Sequence, residues 1–452
     1  MKLAGRKILI FGIGRTGRAV AQFLAKEGAD IIIADEKNRS SLTEELRLLG
    51  DLRDRFVPCR PWAEMLAGVT MIVPSPGVPP GHDLLKEGRR TGLAIISEIE
   101  LAFRYIKKPV IAITGTNGKT TTTTLVGEMM REGGKRVFVG GNIGNPLIAH
   151  VHEKNDVDCL VVEVSSFQLQ WIYSFRPAVA VLLNTSFDHV DYHSSYVDYL
   201  QMKNRLFENQ QAGDLAVLNA DEPSRATLAK TLVADVAWFS STQRVDKGMF
   251  CDGDVLRYRV GGCDEAYAIA DIALPGRHNR ENIMAAIIAA RRFDVSPEAI
   301  RRVLRSFTGL PHRIELVGKI KGVPFYNDSK ATNVDAVARA LEAIDGPLVL
   351  LMGGRDKGGD YGLLKKAVTE KVRKLILFGE ARQGIRRALG GLVSTEVVET
   401  LKDAIETACR EMTDGDTVLL SPACSSFDEF AHYEARGDFF RATVRRLMGE
   451  NE

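Results

Sequence analysis

The sequence predicts an α/β chain of three domains built on doubly wound, mostly parallel sheets. Three observations carry that prediction. The length of 452 residues matches about three domains at roughly 150 residues each. Short β-branched runs alternate with helical patterns along the chain, the signature of βαβ units. Many of these runs are apolar on both faces, as strands covered by helices on each side must be.

Taken in order, strands are expected at residues 7–11, 31–35, 71–73, 110–114, 159–164, 178–184, 348–352 and 417–420. Helical patterns follow several of them, at 19–27, 121–132 and 282–292. A new strand begins after Lys107-Lys108-Pro109, which sets a first boundary near Glu98, and the Gly309-Leu310-Pro311 break sets a second. The expected domains are therefore 1–97, 98–309 and 310–452.

Composition removes several function classes. With 45% apolar and 26% charged residues the chain is neither disordered nor fibrous. Sixty Lys and Arg against 58 Asp and Glu leave a net charge of +2, too little field to recruit nucleic acid or an anionic membrane. No apolar run reaches the roughly 18 residues of a spanning helix, so no membrane insertion is expected. The basic-then-apolar start is cut short by Gly12 and Gly14, too soon for a secretory leader. The six cysteines form no C-x-x-C pair and read as reduced, mostly buried thiols of a cytoplasmic protein.

The first glycine loop is KILIFGIGRTG. It sets Gly12, Gly14 and Gly17 in a G-x-G-x-x-G pattern after a strand, and Asp35 ends the next strand. A dinucleotide fold places its ribose-binding acid there. Glycines let the backbone approach a phosphate, and the helix N-terminus supplies N–H donors. Alone, the loop suggests NAD binding, although an unliganded tight turn is the commoner outcome of so short a pattern.

The second loop, PVIAITGTNGKTTTTTL, carries more chemistry. Gly115, Thr116, Asn117 and Gly118 can offer backbone N–H groups to phosphate oxygens, Lys119 can reach the β- and γ-phosphates, and Thr120 can ligate Mg²⁺. The spacing departs from G-x-x-x-x-G-K-[ST], because Ile113 fills the first glycine slot. The five consecutive threonines are poor helix formers, so their presence at a helix start points to a use for hydroxyls.

Downstream, Glu163 sits in the apolar run CLVVEVSSF. A carboxylate there is either salt-bridged or a metal ligand. His189 follows the expected strand 178–184, near the sheet edge where open α/β folds bind ligands. Lys203 falls in the stripe made by Tyr196, Tyr199, Leu200, Leu206 and Phe207. It must snorkel, the default for such a lysine, or be buried. A buried amine has a lowered pKa and can take up CO₂ as a carbamate.

The GTNGKT loop, the strand acid, the Asp188-His189 pair and a lysine fourteen residues later stand in an order that resembles the Mur ligase family. These are the ATP-dependent amide ligases of peptidoglycan precursor synthesis. GRHNREN (276–282), GLPHRIE (309–315), YNDSKATN (326–333) and SPACSSFDEF (421–430) extend the likeness across nearly the whole chain. EVSSFQL (163–169), DSKATN (328–333) and Tyr433 resemble the D-glutamate-adding branch, and the D-N-P-R motif of diaminopimelate- or lysine-adding relatives is absent.

The resemblance implies an N-terminal Rossmann-like domain, a central P-loop ATPase-like domain with a mostly parallel sheet, and a C-terminal Rossmann-like domain. It reassigns the first loop from NAD to a UDP-sugar held by Arg15, Thr16, Asp35, Glu36 and Gly77, with Asn142, Ser165 and Gln168 toward the sugar-peptide part. It implies ATP contacts from residues 115–121, Asn279, Asn282, Arg313 and Asp328. Two Mg²⁺ ions are implied, one on Thr120 or Thr121 with Glu163, the other on His189 and carbamylated Lys203. D-Glutamate would meet Thr332, Lys357, Ser426 and Phe427, with Tyr433 nearby. The alternative for Lys357 is a solvated residue in a glycine-rich turn. Lys330 is either an acyl-phosphate stabiliser or a structural cation. The implied reaction joins D-glutamate to UDP-N-acetylmuramoyl-L-alanine through an acyl phosphate, in a monomer whose domains close on ATP. The rivals are another Mur-type or folylpolyglutamate-type ligase, an NAD-dependent oxidoreductase, and a non-catalytic nucleotide-binding regulator.

Overall fold

The computed structural model describes residues 1–449 except 38, 59, 60, 154, 187–194 and 275. It is α/β, with three sheets at the centres of three domains. The first sheet is wholly parallel, in the order Asp30–Ala34, Lys7–Phe11, Met71–Pro74, Ala94–Ile95. The second has nine strands. Its parallel part runs Gly248–Asp252, Asp235–Ser240, Leu215–Asn219, Val179–Leu182, Val110–Thr114, Cys159–Glu163, Val137–Gly141. The third has six strands, antiparallel only where Glu315–Ile320 meets Val323–Asn327.

Every expected strand is present, two of them (7–11 and 110–114) with the expected ends and the others with ends shifted by at most three residues. The central strand Val110–Thr114 is buried along its full length and flanked by strands on both sides. That explains its apolar run Val110–Ile113, since each buried Val or Ile contributes about 1.5–3 kcal/mol. The expected helices are Arg15–Lys26, Lys119–Glu132 and Arg277–Arg291. Each of the first two starts directly after the glycine loop that ends its strand.

Eleven of the 19 strands among the described residues escaped the sequence reading, among them Gly248–Asp252, Val255–Val260 and Cys263–Ala268, which extend the second sheet, the first parallel to Asp235–Ser240 and the other two antiparallel. Their turns hold Gly253 at φ 60° and Gly261-Gly262 at φ 60° and 83°, the residues such tight hairpins require. The expectation of mostly buried thiols needs correction. Cys159 and Cys424 are buried, Cys251 and Cys409 are half-buried, and Cys263 is exposed on the last of those strands. Cys59 lies outside the described residues.

The chain divides into two compact units, residues 1–271 with 281–304, and residues 272–280 with 305–452. The first unit holds two sheets, joined through the short helix Glu98–Phe103. That helix's two buried acids behave oppositely. Glu98 accepts from the Ile148 amide at 2.6 Å, while its Oε2 has no partner among the described residues. Burial pushes its pKa up to about 7, against the opposing amides of Ile148 and Leu147. Glu100 accepts from the amides of Tyr173, Ser174 and Phe175 at 2.9–3.0 Å, from Ser174 Oγ and from Arg104. Burial opposes its ionisation, yet these donors hold its pKa below the ordinary value.

Candidate functional site

The second glycine loop leaves the buried strand Val110–Thr114 and enters the helix Lys119–Glu132 through Gly118, at φ 84°. A Cβ on Gly118 would lie 2.1 Å from Asn282 Oδ1, so only glycine fits beside that asparagine. Lys119 Nζ folds back and donates to the carbonyls of Gly115 (2.8 Å) and Thr116 (2.7 Å). Asn184, at the edge of the neighbouring strand, takes the Asn117 amide on Oδ1 at 2.9 Å and returns a bond from Nδ2 to the Asn117 carbonyl at 3.1 Å. The sequence reading missed Asn184; its place at the carboxyl end of a strand was the available signal. Thr121 is buried and Thr120 half-buried.

Lys203 does not snorkel. It is 1% exposed in the helix Tyr196–Asn204, and its amine donates to the Gly115 carbonyl at 3.0 Å. Two lysine amines therefore converge on one loop carbonyl. Lys203 Nζ also lies 4.4 Å from the centre of the Tyr199 ring, and the Tyr199 hydroxyl is 3.0 Å from Thr116 Oγ1. Tyr199 thus couples the lysine to the loop, a role that its apolar-stripe position concealed. His189 lies outside the described residues.

Glu163 ends the strand Cys159–Glu163, in register with Ile113. Its Oε1 accepts from Asn142 Nδ2 at 2.8 Å, and its Oε2 is buried with no partner among the described residues. A buried carboxylate oxygen left open is costly, and a hard divalent cation is the partner that satisfies it. Carboxylate and threonine oxygens form a donor set that suits Mg²⁺. Ser165 and Gln168 cap the next short helix through reciprocal bonds, including Ser165 amide to Gln168 Oε1 at 3.0 Å.

The first loop has a different character. Asp35 Oδ2 accepts the Ile13 amide at 2.9 Å and Oδ1 accepts the Lys37 amide at 3.0 Å. A Cβ on Gly17 would sit 1.9 Å from the Gly12 carbonyl, which packs helix against strand tightly. Glu36 contacts His82 Nε2 at 2.7 Å. Arg15 and Gly77 are exposed and Thr16 is half-buried.

In the second compact unit the candidates gather at the carboxyl edge of the six-stranded sheet. Asp328 accepts from Ser421 Oγ at 2.8 Å and from the Ile314 amide at 3.3 Å. Burial pushes its pKa up to about 7, against the opposing pull of Ser421 and of Arg313. Lys330 Nζ sits 3.7 Å from the centre of the Tyr433 ring. Arg436, unforeseen in the sequence, is 1% exposed and donates to the carbonyls of Ser329, Cys424 and Ser425 at 2.8–3.2 Å. Thr332 and Lys357 are half-buried, Ser426 is buried and Phe427 is 60% exposed. Asn279 belongs to this unit and Asn282 to the first, although one helix carries both.

Three family models cover the chain: Mur ligase MurD-like, N-terminal domain, at residues 6–97; Mur ligase middle domain at 113–290; and Mur ligase, glutamate ligase domain at 312–424. The chain belongs to the Mur ligase family. It is 49% identical to the UDP-N-acetylmuramoylalanine–D-glutamate ligase of Syntrophus aciditrophicus (strain SB), covering 98% of this chain and 99% of that one. It is 46% identical to the Geobacter metallireducens enzyme of the same name, over 99% of both. Among solved structures, the fold matches a pseudomurein peptide ligase type C from Methanothermus fervidus (TM-score 0.62, 19% identity, 98% and 100% of the two chains). It also matches MurF ligase from Thermotoga maritima in complex with ADP (TM-score 0.61, 15% identity, 100% and 97%).

Proposed function

We propose that this family member is an ATP-dependent ligase that joins D-glutamate to UDP-N-acetylmuramoyl-L-alanine in peptidoglycan precursor synthesis. The observation that carries the reading is the pairing of two lysine amines on the Gly115 carbonyl with the open, buried oxygen of Glu163 on the adjoining strand. The names of the full-length relatives support the choice of substrates.

A free carboxylate does not acylate an amine in water, because its oxide is a poor leaving group. Attack of an L-alanyl carboxylate oxygen on the γ-phosphorus of ATP breaks the bond to the β,γ-bridging oxygen. ADP leaves and an acyl phosphate forms. The D-glutamate amine then attacks the acyl carbon, phosphate departs and the nitrogen gives up a proton. Both steps bring anions together, so positioning and charge neutralisation do most of the work.

Lys119 and the amides of residues 115–118 hold the phosphates in this reading. Thr120, Thr121 and Glu163 would hold one Mg²⁺, and His189 with a carbamate on Lys203 a second. When bound, the cations supply charge neutralisation at the γ-phosphate oxygens. Asn279, Asn282, Arg313 and Asp328 are assigned to the nucleotide, and Lys330 to the acyl phosphate. Arg15, Thr16, Asp35, Glu36, Gly77, Asn142, Ser165 and Gln168 are assigned to the UDP-sugar. Thr332, Lys357, Ser426, Phe427 and Tyr433 are assigned to D-glutamate. The reading sets the reaction in the cytoplasm, with one copy of the chain as the working unit. The domain boundaries near residues 98 and 310 belong to the same proposal.

The test is phosphate release from ATP with UDP-N-acetylmuramoyl-L-alanine and a panel of D- and L-amino acids. Release that depends on both the acceptor and D-glutamate is expected. Turnover with neither, or preference for another amine, overturns the assignment.

A further inference from the structure

We propose that Tyr361 is a positioning residue for the amino-acid substrate, its hydroxyl tying together the two loops that present Lys357 and Ser426. This rests on the reading above, in which those residues receive D-glutamate. Tyr361 is 6% exposed. Its hydroxyl donates to Asp356 Oδ1 at 2.8 Å and lies 3.2 Å from Cys424 Sγ. Asp356 Oδ1 also accepts the Gly358 amide at 2.9 Å. The carboxylate therefore bends the backbone across Lys357, the residue between them. Cys424 starts the other loop, directly after the strand Thr417–Ala423 and two residues before Ser426.

Proton positions support the direction of the tie. Burial, with Cys424 and Asp356 beside it, pushes the Tyr361 phenol far above its ordinary pKa, and burial pushes the Cys424 thiol up to about 11. Both stay protonated at neutral pH, so the phenol donates to the carboxylate and its oxygen is left to accept from the thiol. Two other contacts stitch the same loops. The Arg355 amide donates to the Ser425 carbonyl at 2.9 Å, and Ser425 Oγ donates to the Arg355 carbonyl at 3.2 Å. Arg436 holds the Cys424 and Ser425 carbonyls from beneath. The fold of the edge does not depend on Tyr361 alone.

The tie governs charge. Among the described residues, Lys357 Nζ has no hydrogen-bond or ion-pair partner. Asp356 is its sequence neighbour, and an untethered carboxylate there competes with a substrate carboxylate for the amine. The phenol and the Gly358 amide both bind Oδ1 and so fix the orientation of that competitor. Nothing in the motif GGRDKGGDY announces this role, because a tyrosine four residues after a lysine reads as ordinary packing.

The experiment measures KM for D-glutamate, ATP and the UDP-sugar acceptor separately, on the full chain. Tyr361→Phe keeps the ring and removes the hydroxyl. It should raise the D-glutamate KM about fivefold to tenfold, the size of one lost hydrogen bond, with the other two KM values and kcat within about twofold. Asp356→Ala removes the tie and the competing carboxylate together, so it should raise the D-glutamate KM by less than Tyr361→Phe does. An unchanged D-glutamate KM in Tyr361→Phe, with or without a lower melting temperature, overturns the inference, and so does an equal rise in all three. Lys357→Ala separates this from the underlying reading. If it leaves the D-glutamate KM unchanged, the substrate assignment has failed. If it raises that KM and Tyr361→Phe does not, the positioning role alone has failed.

Discussion

The two glycine loops of the first unit follow the same plan, a parallel strand, a glycine turn and a helix, yet they are charged in opposite senses. In the first, an acid occupies the turn: Asp35 takes the Ile13 and Lys37 amides. In the second, lysine amines from two separate helices meet on the Gly115 carbonyl, and Glu163 on the adjoining strand keeps an oxygen with no partner among the described residues. A loop already satisfied by a carboxylate is poorly suited to a triphosphate but offers acceptors to the hydroxyl and N–H groups of a nucleoside. A loop ringed by amines and an open carboxylate is suited to phosphate and a divalent cation together. Backbone shape is shared between the loops, and the side chains around them decide the ligand.

The strongest way to break this comparison is to remove the second amine. Lys203→Ala should lower kcat about a thousandfold, the scale of losing a buried electrostatic group at a reacting centre. Added short carboxylates should restore part of the rate. A variant that stays fully active would remove both the carbamate and the paired-lysine argument. Glu163→Gln is the next largest. It keeps an oxygen for Asn142 but replaces the open carboxylate, so turnover should fall about a hundredfold and the Mg²⁺ concentration for half-maximal rate should rise. A Mg²⁺ titration with an unmoved midpoint would make Glu163 a structural acid.

Asp35→Asn tests the other loop. An amide accepts through only one of its two end atoms, so either the Ile13 or the Lys37 bond is lost. The acceptor KM should rise about fivefold, the scale of one hydrogen bond, and the ATP KM should stay put. A rise in the ATP KM instead would mean that the loops do not serve separate ligands.

The parallel core was legible because its strands are apolar on both faces, and Val110–Thr114 could hardly be anything else. The antiparallel strands between Gly248 and Ala268 were less so, because they alternate polar and apolar residues in short stretches. Their Asp252-Gly253 and Gly261-Gly262 turns were the available signal. At the site, Lys119 and Glu163 announced themselves by motif and by a charge in an apolar run. Lys203 announced only a choice between surface and interior, which packing against Tyr199 decides. Asn184 offered only its place at the end of a strand, and Tyr361 and Arg436 were silent, because their work is to bond backbone or neighbouring side chains across loops far apart in sequence. No local pattern encodes such partners.

The smallest predicted effect concerns the joint between the two loops' sheets, where Glu98 and Glu100 lie two residues apart with opposite titrations. Glu98 has a native pKa of about 7 against an ordinary 4.5. Between those values the native state holds a proton that the unfolded chain has released. Stability from this group is therefore fully present below pH 4.5, falls as pH rises toward 7, and is flat above. Glu100 runs the other way. Its native pKa is depressed, so its contribution is present above the ordinary carboxylate range and is lost as pH falls through the lowered value. Glu98→Gln removes the first slope. Its melting temperature relative to the parent should be higher at pH 8 than at pH 5, by the equivalent of at most about 3 kcal/mol. Glu100→Gln should destabilise at pH 8, because it removes the negative charge from five donors, and lose that penalty toward pH 3. Parallel pH profiles for the two variants would show that the count of donors around each acid does not set its charge, and the argument made for the open oxygen of Glu163 would weaken with it.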